Sequence, residues 1–305
     1  METSNNLKIA VLLTCHNRRE KTIRCLESLF SSLDYYNINH DIHIILRVFL
    51  VDDGSTDGTS KSVLDAYGNH RNIVVIKGSG KLFWAGGMRL AWNHALAEND
   101  TWNFYLLIND DTILYKECFD RLFETHNYSL NEKGKSGIYS GIICGVGNPK
   151  DITYGGIIWE SKFWAKHRDL VPSGKPQMCD ASNANILLID KSVVDTIGIF
   201  YEGYSHGFAD YDYSMHARKK GIPVFVTGLL CGECDYDHKT LGGRILEMNY
   251  NERREYFSNP LHSTKEYLLF FRRNLPLRYP ITMMGCLLRM YFPYFYLKIQ
   301  NLISK

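Results

Sequence analysis

Four short apolar runs constrain this chain most. LKIAVLLT (7–14), HIILRVFLV (43–51), NIVVIKG (72–78) and WNFYLLI (102–108) each have the length of one strand and end in a polar cluster. Between them, segments such as RREKTIRCLESLFSSL (18–33) and GGMRLAWNHALAEN (86–99) repeat apolar residues at helical spacing. DDGSTDGTSKSVLDAY is expected to turn and open a further helix, with Ser55 or Thr56 as its cap. Strands alternating with helices of this length build βαβ units and a parallel, doubly wound α/β sheet. Ligands of such sheets sit at the carboxyl ends of the strands. The polar clusters TCHNR, DDGSTDG, KGSGKLFWAGG and NDD all lie there.

After about residue 136 the pattern changes to shorter strands, SGIYSGIIC, ITYGGIIWE and ANILLID. One helix is expected in FADYDYSMHARKKG, with Gly207 making the turn into it, and a strand in IPVFVTG. A net charge of +2 gives no whole-protein nucleic-acid signature. The eight Cys sit mostly in apolar runs, as reduced core thiols do, and C-G-E-C at Cys231 and Cys234 has no second pair to complete a zinc ribbon. A reducing cytosol fits this usage. The N-terminus reads as a first strand rather than a signal peptide.

LLINDDTIL (106–114) poses the chemical question, because strands disfavour Asn and Asp and two adjacent carboxylates repel each other. Asp52 and Asp53 end the second run, and Asp110 and Asp111 end the fourth. A carboxylate pair beside a diphosphate is tolerable when a hard cation such as Mg²⁺ or Mn²⁺ bridges them. A dinucleotide fold is disfavoured, since T-C-H-N-R stands where G-x-G-x-x-G would follow the first strand. GSGKLF is not a Walker loop, because Leu82 replaces the magnesium-binding Ser or Thr.

AVLLTCHNRREKTIRCLESL, FLVDDGSTDGT, LLINDDTIL and FADYDYSMHARKKG, in this order over residues 7–228, resemble the family 2 glycosyltransferases of the GT-A fold. The resemblance implies a Rossmann-like, mostly parallel central sheet flanked by helices. It implies an inverting transferase that moves a sugar from a nucleotide-sugar donor to an acceptor hydroxyl, with Mg²⁺ or Mn²⁺. Thr14, Asn17, Arg18, Asp52 and Asp53 would hold the nucleoside, with Lys81, Trp84, Gly86, Asn109 and Asp110 completing the nucleotide-sugar site. Asp111, helped by Asp110, would bind the metal, and His238 stands where relatives place a further ligand. Asp210 would be the general base, with its pKa lowered by the helix dipole, while Asp212 lies about 200° around the helix and points elsewhere.

Two departures stand out. The family's D-x-D is here N-D-D, and its frequent E-D pair is Ala209–Asp210. They keep open a catalytically silent nucleotide-sugar binder. A sugar-1-phosphate nucleotidyltransferase would instead want a glycine-rich loop after the first strand. KLFWAGGMRLAWN resembles the rhamnosyltransferase-like branch, which points to dTDP-rhamnose, with UDP-hexoses equally allowed. The implied acceptor is a bacterial surface glycan on a lipid carrier. Taken alone, DDGSTDGT is a turn with caps, and Asp210 and Asp212 are acids complementing a helix dipole.

The expected organisation is a GT-A domain over 1–240, with a nucleotide-binding half to about 135 and an acceptor half from 136, then a helical segment over 241–305. Residues 268–305 carry Arg272, Arg273, Arg278, Arg289, Lys298 and Lys305 and no acid, among many Tyr and Phe. That mixture suits a segment lying in the interface at the inner face of the cell membrane. Packing on the domain and a homodimer contact are its alternatives.

Overall fold

The computed structural model describes residues 6–68, 72–98, 100–235 and 244–303. The first half alternates as expected: β1 (Leu7–Cys15), α1 (Arg19–Asn39), β2 (Ile44–Asp52), α2 (Thr59–Tyr67), β3 (Ile73–Lys77), α3 (Phe83–Ala97) and β4 (Phe104–Ile108). Then follow β5 (Ile113–Leu114), α4 (Cys118–Lys133), β6 (Ile138–Gly145), β7 (Asn148–Tyr154), β8 (Gly156–Ser161) and β9 (Lys166–Asp169). β10 (Gln177–Met178), β11 (Ala181–Ser182), β12 (Ile186–Asp190), α5 (Lys191–Ile197), α6 (Ala209–Lys219) and β13 (Val224–Glu233) complete the sheets. The chain ends in α7 (Arg244–Glu247), α8 (Tyr250–Ser258), α9 (Thr264–Asn274), α10 (Tyr279–Tyr291) and α11 (Pro293–Ile303).

The central sheet runs β10-β13-β6-β12-β4-β1-β2-β3. β1 is parallel to both β2 and β4, and β2 to β3. These strands are buried on both faces, so their sequences are continuously apolar. Alternate residues feed two cores. Leu12, Phe49, Val51 and Leu107 meet Met88 and Trp92 of α3 on one side. Leu13, Leu50, Leu106 and Ile108 meet Leu26 and Leu29 of α1 and Phe119 of α4 on the other.

Several strands depart from the parallel pattern: β10 and β5 run antiparallel to β13, β7 to β6, and β12 to both its neighbours. β12 lies antiparallel between β4 and β6, with Ile186 opposite Ile108. The residues just before β12 therefore emerge at the carboxyl end of β4, beside Asn109 to Asp111. β13 runs parallel to β6 and ends with Glu233 opposite Ile113, which brings Cys234 to the same end.

Several local expectations are corrected. α2 begins at Thr59 behind Gly58, which sits at φ 82, so neither Ser55 nor Thr56 caps it; Asp57 instead accepts the Thr59 amide at 3.1 Å. α3 begins at Phe83 rather than Gly86, because Asp53 takes up the amides of its first turn. The turn into α6 is made by Phe208, at φ 66, and not by Gly207. This left-handed backbone is unfavourable for Phe; its ring stacks on Phe270 at 5.1 Å, and that packing holds it. The last strand is longer than IPVFVTG, reaching Glu233 through two register shifts. The tail divides: α9 buries Phe270, Phe271 and Leu275 in the core, whereas α10 and α11 leave many apolar side chains exposed.

Candidate active site

The loops after β1, β2 and β3 form one hydrogen-bonded unit. Asn17, at φ 50, accepts the Thr56 amide at 2.7 Å, and its own amide donates to Ser55 Oγ at 2.9 Å. Asp52 accepts the Ser55 amide at 2.8 Å and the Ser60 hydroxyl. Burial alone would raise the Asp52 pKa, but the bonds from Ser55 and Ser60 outweigh it and hold the group below the usual range. Asp53 accepts the amides of Gly80 (2.7 Å), Leu82 (2.9 Å) and Phe83 (3.1 Å). Its carboxylate is therefore committed to shaping the loop before α3 and reaches a ligand only through that loop. Lys81 is exposed on the same loop. Thr14 is buried under α3, where a side chain at Gly87 would overlap the Thr14 hydroxyl. Gly86 is also buried, and its amide donates to Ser205 O at 3.3 Å.

The turn after β4 is the electrostatic centre. Arg18 Nη1 donates to Asp110 at 3.0 Å and to Asp111 at 2.7 Å, bridging the two carboxylates. Lys21 Nζ lies 3.8 Å from Asp111. Even so, burial pushes the Asp110 pKa up to about 7, against the opposing pull of Arg18 and with help from Asp111. Asp110 Oδ2 is buried and has no hydrogen-bond partner in the protein. Asn109 is held from both sides: its Oδ1 accepts the Trp84 indole N–H at 2.8 Å, and its amide donates to Asn185 O at 3.2 Å. Trp84 packs its ring against Phe200 at 5.6 Å. So Trp84 belongs to the core and also orients Asn109.

The first turn of α6 joins this centre. Asp210 accepts the amides of Ala184 (3.1 Å) and Tyr211 (2.9 Å). Ala184 and Asn185 are consecutive, so one dipeptide touches both the Asp210 carboxylate and the turn at Asn109. The expected lowering of the Asp210 pKa is corrected. Burial pushes it up to about 6, and the amides of Tyr211 and Ala184 recover only part of that rise. Asp212 points elsewhere, as its angular offset requires. It receives Arg273 through two bonds, at 2.9 and 3.0 Å, and Asn274 at 2.5 Å, and it accepts Tyr204 at 3.2 Å. It is a buried anchor for α9.

Asp110 and Asp111 offer the only carboxylate pair at the β4 turn, and no group of three or more His, Cys, Asp or Glu is gathered for a metal among the described residues. His238 lies outside the described residues. The pair still fits a hard cation. The Oδ2 of Asp110 has no partner from the protein, and carboxylate oxygens suit Mg²⁺ or Mn²⁺, which take diphosphate and water as further ligands.

The family model described as Glycosyl transferase family 2 matches residues 10–187. The chain belongs to that family. Its fold is that of GT-A glycosyltransferases, which the solved structures bear out. The mannosyltransferase PcManGT from Pyrobaculum calidifontis, solved with GDP-Man and Mn²⁺, superposes with a TM-score of 0.53 at 13% identity, covering 97% of this chain and 79% of that one. Residues 1–349 of TarS from S. aureus superpose with a TM-score of 0.54 at 15% identity, covering 93% and 85%. The same TarS fragment with UDP-GlcNAc gives 0.51 at 16%, covering 88% and 72%. No curated protein matches the chain.

For this family 2 glycosyltransferase, sequence reasoning did not single out Gly87, Ala184 or Asn185; it read Cys234 as a core thiol and placed Arg273 in the interfacial tail, where the structure pairs it with Asp212. Cys234 Sγ lies 3.6 Å from Asp111 Oδ1. Two signals were available. A Gly-Gly pair inside a helix costs stability without a packing reason, and the polar SNAN leads directly into the apolar run ILLID. Nothing in the sequence around Arg273 signals its partner 61 residues away.

Proposed function

We propose that this glycosyltransferase moves one sugar, with inversion, from a nucleotide diphosphate donor to a hydroxyl of a glycan or glycolipid. The setting is the synthesis of a bacterial surface polysaccharide, a step that rests on family analogy. The observation that carries the reading is the shared contact of Ala184 and Asn185: it sets a half-buried carboxylate with a pKa near 6 beside the paired carboxylates of the β4 turn.

The nucleotide-binding half, residues 1–135, holds the donor. Asp52, Asn17 and the Asp53-shaped loop would cradle the nucleoside, with Lys81 exposed on that loop and the buried Thr14 of β1 and Gly86 of α3 supporting it. Asn109, oriented by Trp84, meets the ribose or diphosphate. Asp111 and Asp110 would hold Mg²⁺ or Mn²⁺, which when bound stabilises the diphosphate as it leaves. Arg18 and Lys21 add positive charge to the same oxygens. In the acceptor half, residues 136–240, Asp210 accepts the proton of the attacking hydroxyl. Its two backbone amides fix the carboxylate in place, and its raised pKa makes it a better proton acceptor than an ordinary Asp. From the C-terminal segment, α9 braces α6 through Arg273 and Asp212.

The test is a panel of nucleotide sugars, dTDP-rhamnose and UDP-hexoses among them, incubated with Mn²⁺. One donor should lose its sugar. Binding of nucleoside diphosphate with no sugar released from any donor would favour the silent binder instead. Calorimetry sharpens the metal assignment. Mn²⁺ should strengthen nucleoside diphosphate binding in the wild type and not in Asp111→Ala; an equal gain in both would remove Asp111 from the metal site.

A further inference from the structure

We infer that α10, α11 and the tip of the β8–β9 hairpin together form a docking surface for an anionic lipid bilayer. The two parts are far apart in sequence. Arg278, just before α10, sits over the ring of Trp164 at the hairpin tip, 5.8 Å from its centre. Ala165 of the tip lines the same cavity, of about 520 Å³, as Ile281 and Met284 of α10. The surface is therefore one continuous patch.

Its exposure is unusual. Trp164 is 65% exposed, Met284 55%, Phe292 64% and Phe295 54%. A contiguous patch of large apolar side chains marks an interaction site rather than ordinary surface. Charge decides the occupant. Residues 268–305 contain no Asp or Glu and six cationic side chains, one of which, Arg273, is paired with Asp212. Of these, Arg272 and Lys298 are exposed, and Lys162 adds another at the hairpin. Glu160 of the hairpin is paired with Lys166 at 2.8 Å. A second copy docking this face on itself would set cations against cations. An anionic bilayer attracts them and takes the Trp and Phe rings at headgroup depth. No helix among the described residues is long and apolar enough to cross a membrane, so the contact lies on the surface. β8 also pairs with β11, which leads directly to Ala184 at Asp210. The docking face and the acceptor side thus share one small sheet, which suits an acceptor presented from the bilayer.

The full-length protein is floated with vesicles of phosphatidylcholine alone or mixed with phosphatidylglycerol, without donor or acceptor. The wild type should float with the mixed vesicles, far less with phosphatidylcholine alone, and high salt should release it. Trp164→Glu and Met284→Glu, both at exposed positions, should each lower the bound fraction about tenfold, with nucleoside diphosphate affinity unchanged. Failure of the wild type to float, or flotation of both variants like the wild type, overturns the inference. So does a wild-type dimer in light scattering that Met284→Glu splits, since it assigns the face to a second copy. None of these outcomes depends on which sugar is transferred.

Discussion

The donor side and the acceptor side of the site are built by different rules. In the loops of the donor side, carboxylates are satisfied by neighbours in the same or the next loop, Asp52 by Ser55 and Ser60 and Asp53 by Gly80, Leu82 and Phe83, while Asp110 of the β4 turn keeps one oxygen unpartnered. On the acceptor side, Asp210 depends on Ala184, and Asp212 on Arg273 in the tail. On the proposed donor side the loops lock one another through the bonds at Asn17 and Asp53. The acceptor side is held from a distance, which leaves the half-buried Asp210 incompletely compensated. The first arrangement suits binding, and the second suits proton transfer.

The largest expected effect probes the long-range brace. Arg273→Ala leaves Asp212 buried without its guanidinium and should cost about 3–5 kcal/mol in denaturant unfolding. Adding Asp212→Asn to that variant should recover much of the loss. If Arg273→Ala unfolds like the wild type, the tail does not brace α6, and the contrast between the two sides weakens.

The next effect concerns pH and stability. The folded pKa of Asp210, about 6, lies above its ordinary 3.8, so folding favours the protonated form. That contribution is full below the ordinary value and is lost as pH rises through about 6. Relative to Asp210→Asn, the wild type should lose up to about 3 kcal/mol between about pH 4 and pH 7. Parallel stability curves for the two proteins would mean that Asp210 is not held dry.

The smallest effect belongs to the donor side. Trp84→Phe keeps the ring packing but removes the donor to Asn109. About 1 kcal/mol, or roughly fivefold weaker nucleotide binding, should follow in calorimetry. An unchanged affinity would reduce Trp84 to a core residue.

The same contrast explains what could be read in advance. TCHNR, DDGSTDG and NDD were legible because their partners are close in sequence or lie at equivalent strand ends, which the parallel order of β1 to β4 aligns. The separation of Asp210 from Asp212 followed from helical geometry alone. The Asp210 pKa was misjudged because the dipole is a local property, whereas burial depends on β11, β12 and the core packed around α6. The αL backbone at Phe208 was likewise invisible, since only Phe270 and Tyr267 of α9 make it tolerable. Ala184 and Asn185 depended on β12 running antiparallel, and ANILLID carries no mark of direction.

In the proposed transfer, Asp210 takes the acceptor's proton. The direct measurement is the pH profile of sugar transfer, with the donor found in the panel, for wild type and Asp210→Asn. Below about pH 6 the wild-type rate should fall about tenfold per pH unit as the carboxylate protonates. Asp210→Asn should bind nucleotide like the wild type, transfer at least roughly 10²-fold more slowly at neutral pH and lose that limb of the profile. Normal transfer by Asp210→Asn, with the acid limb intact, would contradict the account.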